Sequence, residues 1–135
     1  IGQQKAPLLA KLLYRAVGVD VAGVVKDVDA SNVVALSKDA DVVVDAFDNA
    51  ASRAVVRGAN VVHLGLARGF AEVVWDARYV VPTDSGVDVC DVGLARSLIL
   101  LATATAGEAI VEFAASGRQR SFTITSRDLK ITELP

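Results

Sequence analysis

Methionine is absent from these 135 residues, cysteine and histidine occur once each, and aromatic residues make up only 5% of the chain. A single cysteine excludes an internal disulfide framework and any C-x-x-C pair, and with them a zinc knuckle. A lone thiol fits a reducing, cytoplasmic setting. His63 has no second histidine with which to share a metal. Lysine and arginine number 14 against 16 acids, so there is no basic footprint for nucleic acid and no polyanionic tail. The chain opens Ile1-Gly2-Gln3-Gln4-Lys5, with neither a methionine nor a basic-then-apolar leader. The missing methionine points to a piece of something longer. The longest apolar stretch, Ser97 to Phe113, contains Glu108 and Glu112. It reads as too short and too polar to span a bilayer, which takes about 20 apolar residues.

What the chain does have is valine and alanine, arranged with clear periodicity. Leu8, Leu9, Leu12, Leu13, Ala16 and Val17 recur at helical spacing before Gly18, which predicts a helix over residues 4–17. Pro7 falls in its first turn, where a missing N–H is harmless. Val19 to Val25 is β-branched and reads as a strand. Ser31-Asn32 can cap a short helix through Leu36. Asp41 to Phe47 reads as a strand, Asn49 or its neighbour as the cap of a helix over residues 50–59, and Asn60 to Leu66 as another buried strand. Ala71 to Trp75 and Arg78 to Val81 read as shorter strands, and Thr83 to Gly86 as a loop. A long helix is expected from Val92 to Ala115, ended by Ser116-Gly117. Ser121 to Thr125 alternates polar and apolar residues as a half-exposed strand does, and Leu129 to Leu134 is placed to pair with it. The expected fold class is α/β: one partial domain over residues 1–135, with a Rossmann-like parallel sheet flanked by helices and antiparallel edge strands added late.

One segment stands apart. In Asp41-Val-Val-Val-Asp45-Ala-Phe-Asp48-Asn49-Ala-Ala-Ser-Arg53 an apolar run ends in acids. An unalternating apolar run is how a strand buried on both faces reads. In open parallel sheets, ligands gather at the carboxyl ends of such strands. Asp45 and Asp48 therefore fall where a ligand is expected. A doubly wound nucleotide domain begins with a strand and a glycine-rich turn, yet no G-x-G-x-x-G occurs here.

Three blocks, in order, carry a resemblance. They are Ile1-Gly2-Gln-Gln-Lys5-Ala6; Asp41 to Arg53, with the pattern D-x-V-x-D-x-x-D-N-x-x-x-R; and Cys90-Asp-Val-Gly93-Leu followed by Ala106-Gly-Glu108-Ala-Ile-Val. Together they resemble the ThiF/MoeB/HesA family, bacterial relatives of ubiquitin-activating enzymes. The resemblance implies a domain that binds ATP and magnesium. It also implies adenylation of the C-terminal carboxylate of a ubiquitin-like or sulfur-carrier protein, and a homodimer. It would place Lys5 on the ATP phosphates and Asp48 beside the magnesium and the adenylating centre. Asn49 and Arg53 would shape the loop and position the triphosphate or the carrier tail, and Cys90 would be the cysteine of a thioester or persulfide step. The family's glycine-rich loop lies upstream of the first block, and its two C-x-x-C pairs are absent here.

Each of these residues also has a plainer reading. Asp48 can cap a helix, and Arg53 can pair with Asp45 or Asp48. Lys5 can be a solvated helix start, and Cys90, flanked by Asp88 and Asp91, can pack as a small hydrophobe. His63, within Val-Val-His-Leu-Gly-Leu, reads as a satisfied core or strand-end histidine. Trp75 reads as packing or interface. Arg118 and Arg120 complement a helix dipole without needing a ligand. The long helix, apolar on nearly every side from Leu94 to Leu101, reads as centrally buried or as a dimer seam. Two further functions stay open beside adenylation: a non-catalytic binding or scaffold subunit, and a dehydrogenase-type Rossmann fragment. Asp48-Asn49 with Arg53 argues against the last.

Overall fold

The described residues build a five-stranded mixed sheet in which spatial order equals chain order, β1-β2-β3-β4-β5. The computed structural model describes residues 2–84 and 96–135. The elements are α1 (Lys5–Val17), α2 (Val33–Ser37), β1 (Val43–Asp45), α3 (Ala50–Val55), β2 (Val61–Ala67), β3 (Phe70–Trp75), a 3₁₀ turn (Asp76–Arg78), α4 (Arg96–Ser116), β4 (Phe122–Thr125) and β5 (Lys130–Glu133).

The helix starts and stops follow local chemistry. Gly18 closes α1 in the left-handed conformation, φ 72°, and its N–H donates to the Tyr14 carbonyl, as a glycine after a helix commonly does. Asn49 caps α3, its side-chain oxygen accepting from the Ser52 N–H at 2.8 Å. Gly117, also at positive φ, follows α4.

Sheet polarity departs from the expectation. Only β1 and β2 run parallel; β2–β3, β3–β4 and β4–β5 are all antiparallel. The antiparallel part therefore begins at the second strand. The cause is the connection: only Arg68 and Gly69 separate β2 from β3, whereas parallel neighbours need a crossover of a dozen or more residues. Gly69, at φ 74°, supplies the positive dihedral that this turn requires.

Two expected strands do not form. Val19 to Val25 joins no ladder, and most of its residues are exposed. β-Branched residues favour extended backbone, but a strand exists only where a partner pairs with it. Residues 78–81 leave the sheet because the 3₁₀ turn at Asp76–Arg78 redirects the chain. Gly86 and Val92 to Ala95 lie outside the described residues.

Alternation along the strands sorts side chains onto two faces. Val62, Val73, Trp75 and Phe122 meet Ala106 and Ala109 of α4, and a second cluster joins Ala71 and Ile124 to Leu98 and Ala102. Full burial of each large apolar side chain contributes about 1.5–3 kcal/mol. Trp75 is 2% exposed and tilts against Phe113, with ring centroids 4.7 Å apart, so it serves packing. Its indole N–H donates to the Arg120 carbonyl at 3.1 Å. Arg120 itself bridges Glu112 and Glu133 at 2.9 and 2.6 Å, a partly exposed triad that ties the end of α4 to β5.

At 21 residues α4 is long and apolar enough to cross a membrane by length and composition, whereas its apolar stretch read as too short and too polar for that. Its inner face, including Leu98, Ala102 and Ala109, is buried against the sheet instead.

Candidate functional site

On the sheet face opposite α4, polar residues replace the apolar ones. Asp45 and His63 stand side by side on β1 and β2 because the parallel register pairs them. Both are fully buried. The His63 Nδ1 lies 2.6 Å from Asp45 Oδ2, and its Nε2 lies 3.0 Å from Asp76 Oδ1 in the 3₁₀ turn. Tyr79 stacks on the imidazole, with centroids 3.9 Å apart and planes 8° apart. Its hydroxyl accepts from Arg53 at 2.9 Å.

Arg53, on α3, distributes its donors over three elements. Nη1 reaches Asp45 at 3.3 Å as well as Tyr79, and Nη2 donates to the Leu64 carbonyl at 2.7 Å. Asp76 completes the network by accepting from the Gly58 N–H at 3.0 Å and pairing with Arg57 at 2.8 Å. No buried side-chain polar atom among the described residues is left without a partner. A fully satisfied network of this kind rigidifies its surroundings.

The electrostatics follow from these contacts. Burial works to raise the Asp45 pKa, but the hydrogen bond from His63, the Phe47 N–H and the Arg53 charge outweigh it and hold the carboxyl below the usual range. Glu72, which lies across Gly65 on the neighbouring strand, goes the other way. Burial raises its pKa, and the Arg53 and His63 charges only partly offset that. The Tyr79 hydroxyl is likewise raised, chiefly by burial, with Asp45 and Glu72 adding to the effect and Arg53 opposing it.

The network fixes the chain as it leaves β1. Asp45 Oδ1 accepts from the Phe47 N–H at 2.9 Å, which folds the backbone back over the strand end. Asp48 then projects into solvent, accepting from the Asn49 amide at 3.1 Å. Asn49 faces inward as the α3 cap, and the first N–H of α3 donates to Asp84 at 2.8 Å. Beside this turn an apolar groove of about 320 Å³ is lined by Val28, Val33, Leu36, Val42, Val43 and Phe47, among others.

The sequence-derived candidates thus divide. Asp48, Asn49 and Arg53 come together at one strand end. Arg53, 7% exposed, is the buried member, and the plainer pairing with Asp45 is the one realised. Lys5, exposed at the start of α1, makes no ion pair among the described residues. Cys90 lies outside the described residues. His63 is a satisfied buried histidine, as expected.

Asp76, Tyr79 and Glu72 were missed. Asp76 falls between the two segments read as short strands and Tyr79 inside the second, and only the one histidine in an apolar run hinted that acceptors had to lie nearby. No cluster of three or more His, Cys, Asp or Glu placed to hold a metal occurs among the described residues. A lone exposed carboxylate such as Asp48 is a donor of the type magnesium takes when phosphates and waters supply its other ligands.

No family model and no curated protein matches the chain. Among solved structures, that of PaaA superposes with a TM-score of 0.61 at 14% sequence identity, covering 99% of this chain and 55% of PaaA. At that identity the likeness concerns the fold alone. The chain spans about half the length of PaaA.

Proposed function

We propose that this chain is the C-terminal portion of a ThiF-type adenylyltransferase, Rossmann-like in its β1–α3–β2 unit. In this reading it acts in the cytoplasm on the C-terminal carboxylate of a ubiquitin-like or sulfur-carrier protein. The observation that carries the reading is the exposed Asp48 just past the carboxyl end of β1, in the one parallel pair among the described strands, on a turn set by the buried Asp45–Arg53 pair. That is where an open parallel sheet presents ligand groups. The groove beside Phe47 offers apolar walls of a size suited to a nucleoside base.

When bound, magnesium–ATP would supply the electrophilic phosphorus and the pyrophosphate leaving group. This chain's own residues would hold and orient. Asp48 supplies a hard oxygen to the metal. Lys5, a compact ammonium, offsets charge on the phosphates. Asn49 and Arg53 act at one remove, holding the turn that carries Asp48.

Carrier-dependent exchange of pyrophosphate into ATP, measured on the intact gene product, tests the reading. Asp48→Ala should lower the exchange by about 10²-fold or more while leaving thermal unfolding unchanged, because Asp48 is exposed. Exchange that is absent with every candidate carrier, or untouched by Asp48→Ala, would remove the proposal. The alternative is a non-catalytic subunit that binds the carrier tail without turnover. Carrier binding that persists in Asp48→Ala, with no exchange in either protein, would select it.

A further inference from the structure

Residues 76–84 run along α3 in the opposite direction, and three side chains fasten them to it. Asp76 accepts from the Gly58 N–H at 3.0 Å and pairs with Arg57 at 2.8 Å, just beyond the end of α3. The Tyr79 hydroxyl accepts from Arg53 in the middle of α3 at 2.9 Å. Asp84 accepts from the Ala50 N–H at its start at 2.8 Å. Between these anchors the strap is open to solvent, with Val80 83% exposed. Its hold on the sheet runs through one ring, because Asp76 and Tyr79 both meet His63.

The hydrogen-bond inventory fixes the charge of that ring. Both oxygens of Asp45 accept N–H groups, Oδ1 from Phe47 and Oδ2 from Arg53. Both oxygens of Asp76 are engaged as well, Oδ2 by Gly58 and Oδ1 by Arg57. Two carboxylates can only accept, so both nitrogens of His63, at 2.6 and 3.0 Å from them, must donate. The ring is then an imidazolium, and the Tyr79 face stacked on it at 3.9 Å attracts a cation. Glu72 on β3 is the remaining charged group near the ring among the described residues. Asp45, Glu72 and Asp76 then stand against Arg53, Arg57 and the charged His63.

We propose that His63 is a proton-operated latch: its charged ring fastens residues 76–84 across α3, and release of the Nε2 proton to solvent lets them go. A ring with one proton sets a lone pair against one of the two carboxylates, and that contact must open. The contact to Asp76 is the one that opens. Asp45 is fully buried on β1 and its bond is the shorter, whereas Asp76 sits on a turn beside the half-exposed Arg57. The strap is therefore closed at low pH and freed as pH rises through the titration of the ring. Opening also uncaps Ala50, two residues after Asp48.

His63 is the only histidine, so its ring nitrogens can be followed by NMR while amide exchange is measured on the same 135-residue chain. Protection of the Gly58 and Ala50 amides, corrected for intrinsic exchange, should fall by about tenfold or more as the ring loses its proton. The amides of β3 should keep theirs. Asp76→Asn should remove the dependence, because a carboxamide can donate to a bare Nε2 and still accept from Gly58. Glu72→Gln should leave it in place, which separates the ring from the other titrating group nearby. A ring that holds a single proton wherever the chain is folded would overturn the proposal. So would protection at Gly58 that does not follow the ring's titration, or full pH dependence in Asp76→Asn. The first measurement needs no substitution, so it decides the matter even where a variant fails to fold.

Discussion

Arg53 shows how much one side chain can organise: its guanidinium joins α3 to β1, β2 and the segment after the 3₁₀ turn through Asp45, the Leu64 carbonyl and Tyr79. Removing it strands a fully buried carboxylate. Arg53→Ala should therefore cost about 3–5 kcal/mol in urea unfolding, far more than truncation of the exposed Arg68 or Arg127. The two unusual carboxyls predict opposite pH dependences. The folded pKa of Asp45 lies below its unfolded value, so its contribution is present above the ordinary aspartate range and is lost as pH falls through the depressed pKa. Glu72 lies above its unfolded value, so its contribution is present at low pH and is lost as pH rises through the raised pKa. Asp45→Asn should flatten the acid limb of a stability–pH curve, and Glu72→Gln the limb just above it. At this scale the sequence was partly legible. The acid-rich strand end and a pairing of Arg53 with Asp45 or Asp48 could be read from spacing, because one strand and one helical turn set both; which of the two acids is the partner could not. Tyr79 and Asp76 reach the same place only through a hairpin and a bend, which no local pattern encodes.

Among the elements, α3 depends most on a single local interaction. It has six residues, too few for propensity alone to sustain a helix. Asn49→Ala should cost about 1 kcal/mol and should loosen the Asp48 turn, visible as faster amide exchange at Ser52. In α4 the small residues have a definite place. Ala102, Ala106 and Ala109 let the helix lie close on the sheet, so Ala106→Leu should overpack it at about 1–3 kcal/mol. Most elements were readable because their limits rest on single residues: Gly18 for α1, Asn49 for α3, Ser116-Gly117 for α4. The direction of the sheet was not. The run Val61-Val-His-Leu-Gly-Leu reports burial on both faces, which an interior antiparallel strand shares with a parallel one. The informative signal was the two-residue Arg68-Gly69 connection. Val19 to Val25 failed for the complementary reason: its residues record a preference for extended backbone, and none of the described strands pairs with it.

For the whole molecule, the sheet with α4 forms the packed body, and α1 with residues 18–41 forms an annex held by few contacts. Lys26 lies in exposed, irregular chain. Limited trypsin digestion should therefore cut after Lys26 first and spare the fragment that contains the sheet. First cleavage within residues 43–75 would contradict this division.

The coincidence of strand order with chain order has a consequence for synthesis. Among the described strands each joins at the current edge of the sheet, and none has to be inserted between two earlier ones. These five strands can therefore assemble vectorially as they leave the ribosome, β1 with β2, then the β3 hairpin, without undoing any earlier pairing among them. One interval is hazardous. Between β3 and β4 the chain must deliver all of α4, and until it does, the free edge of β3 is a template for another nascent chain. Slow translation of that stretch would widen the window for aggregation.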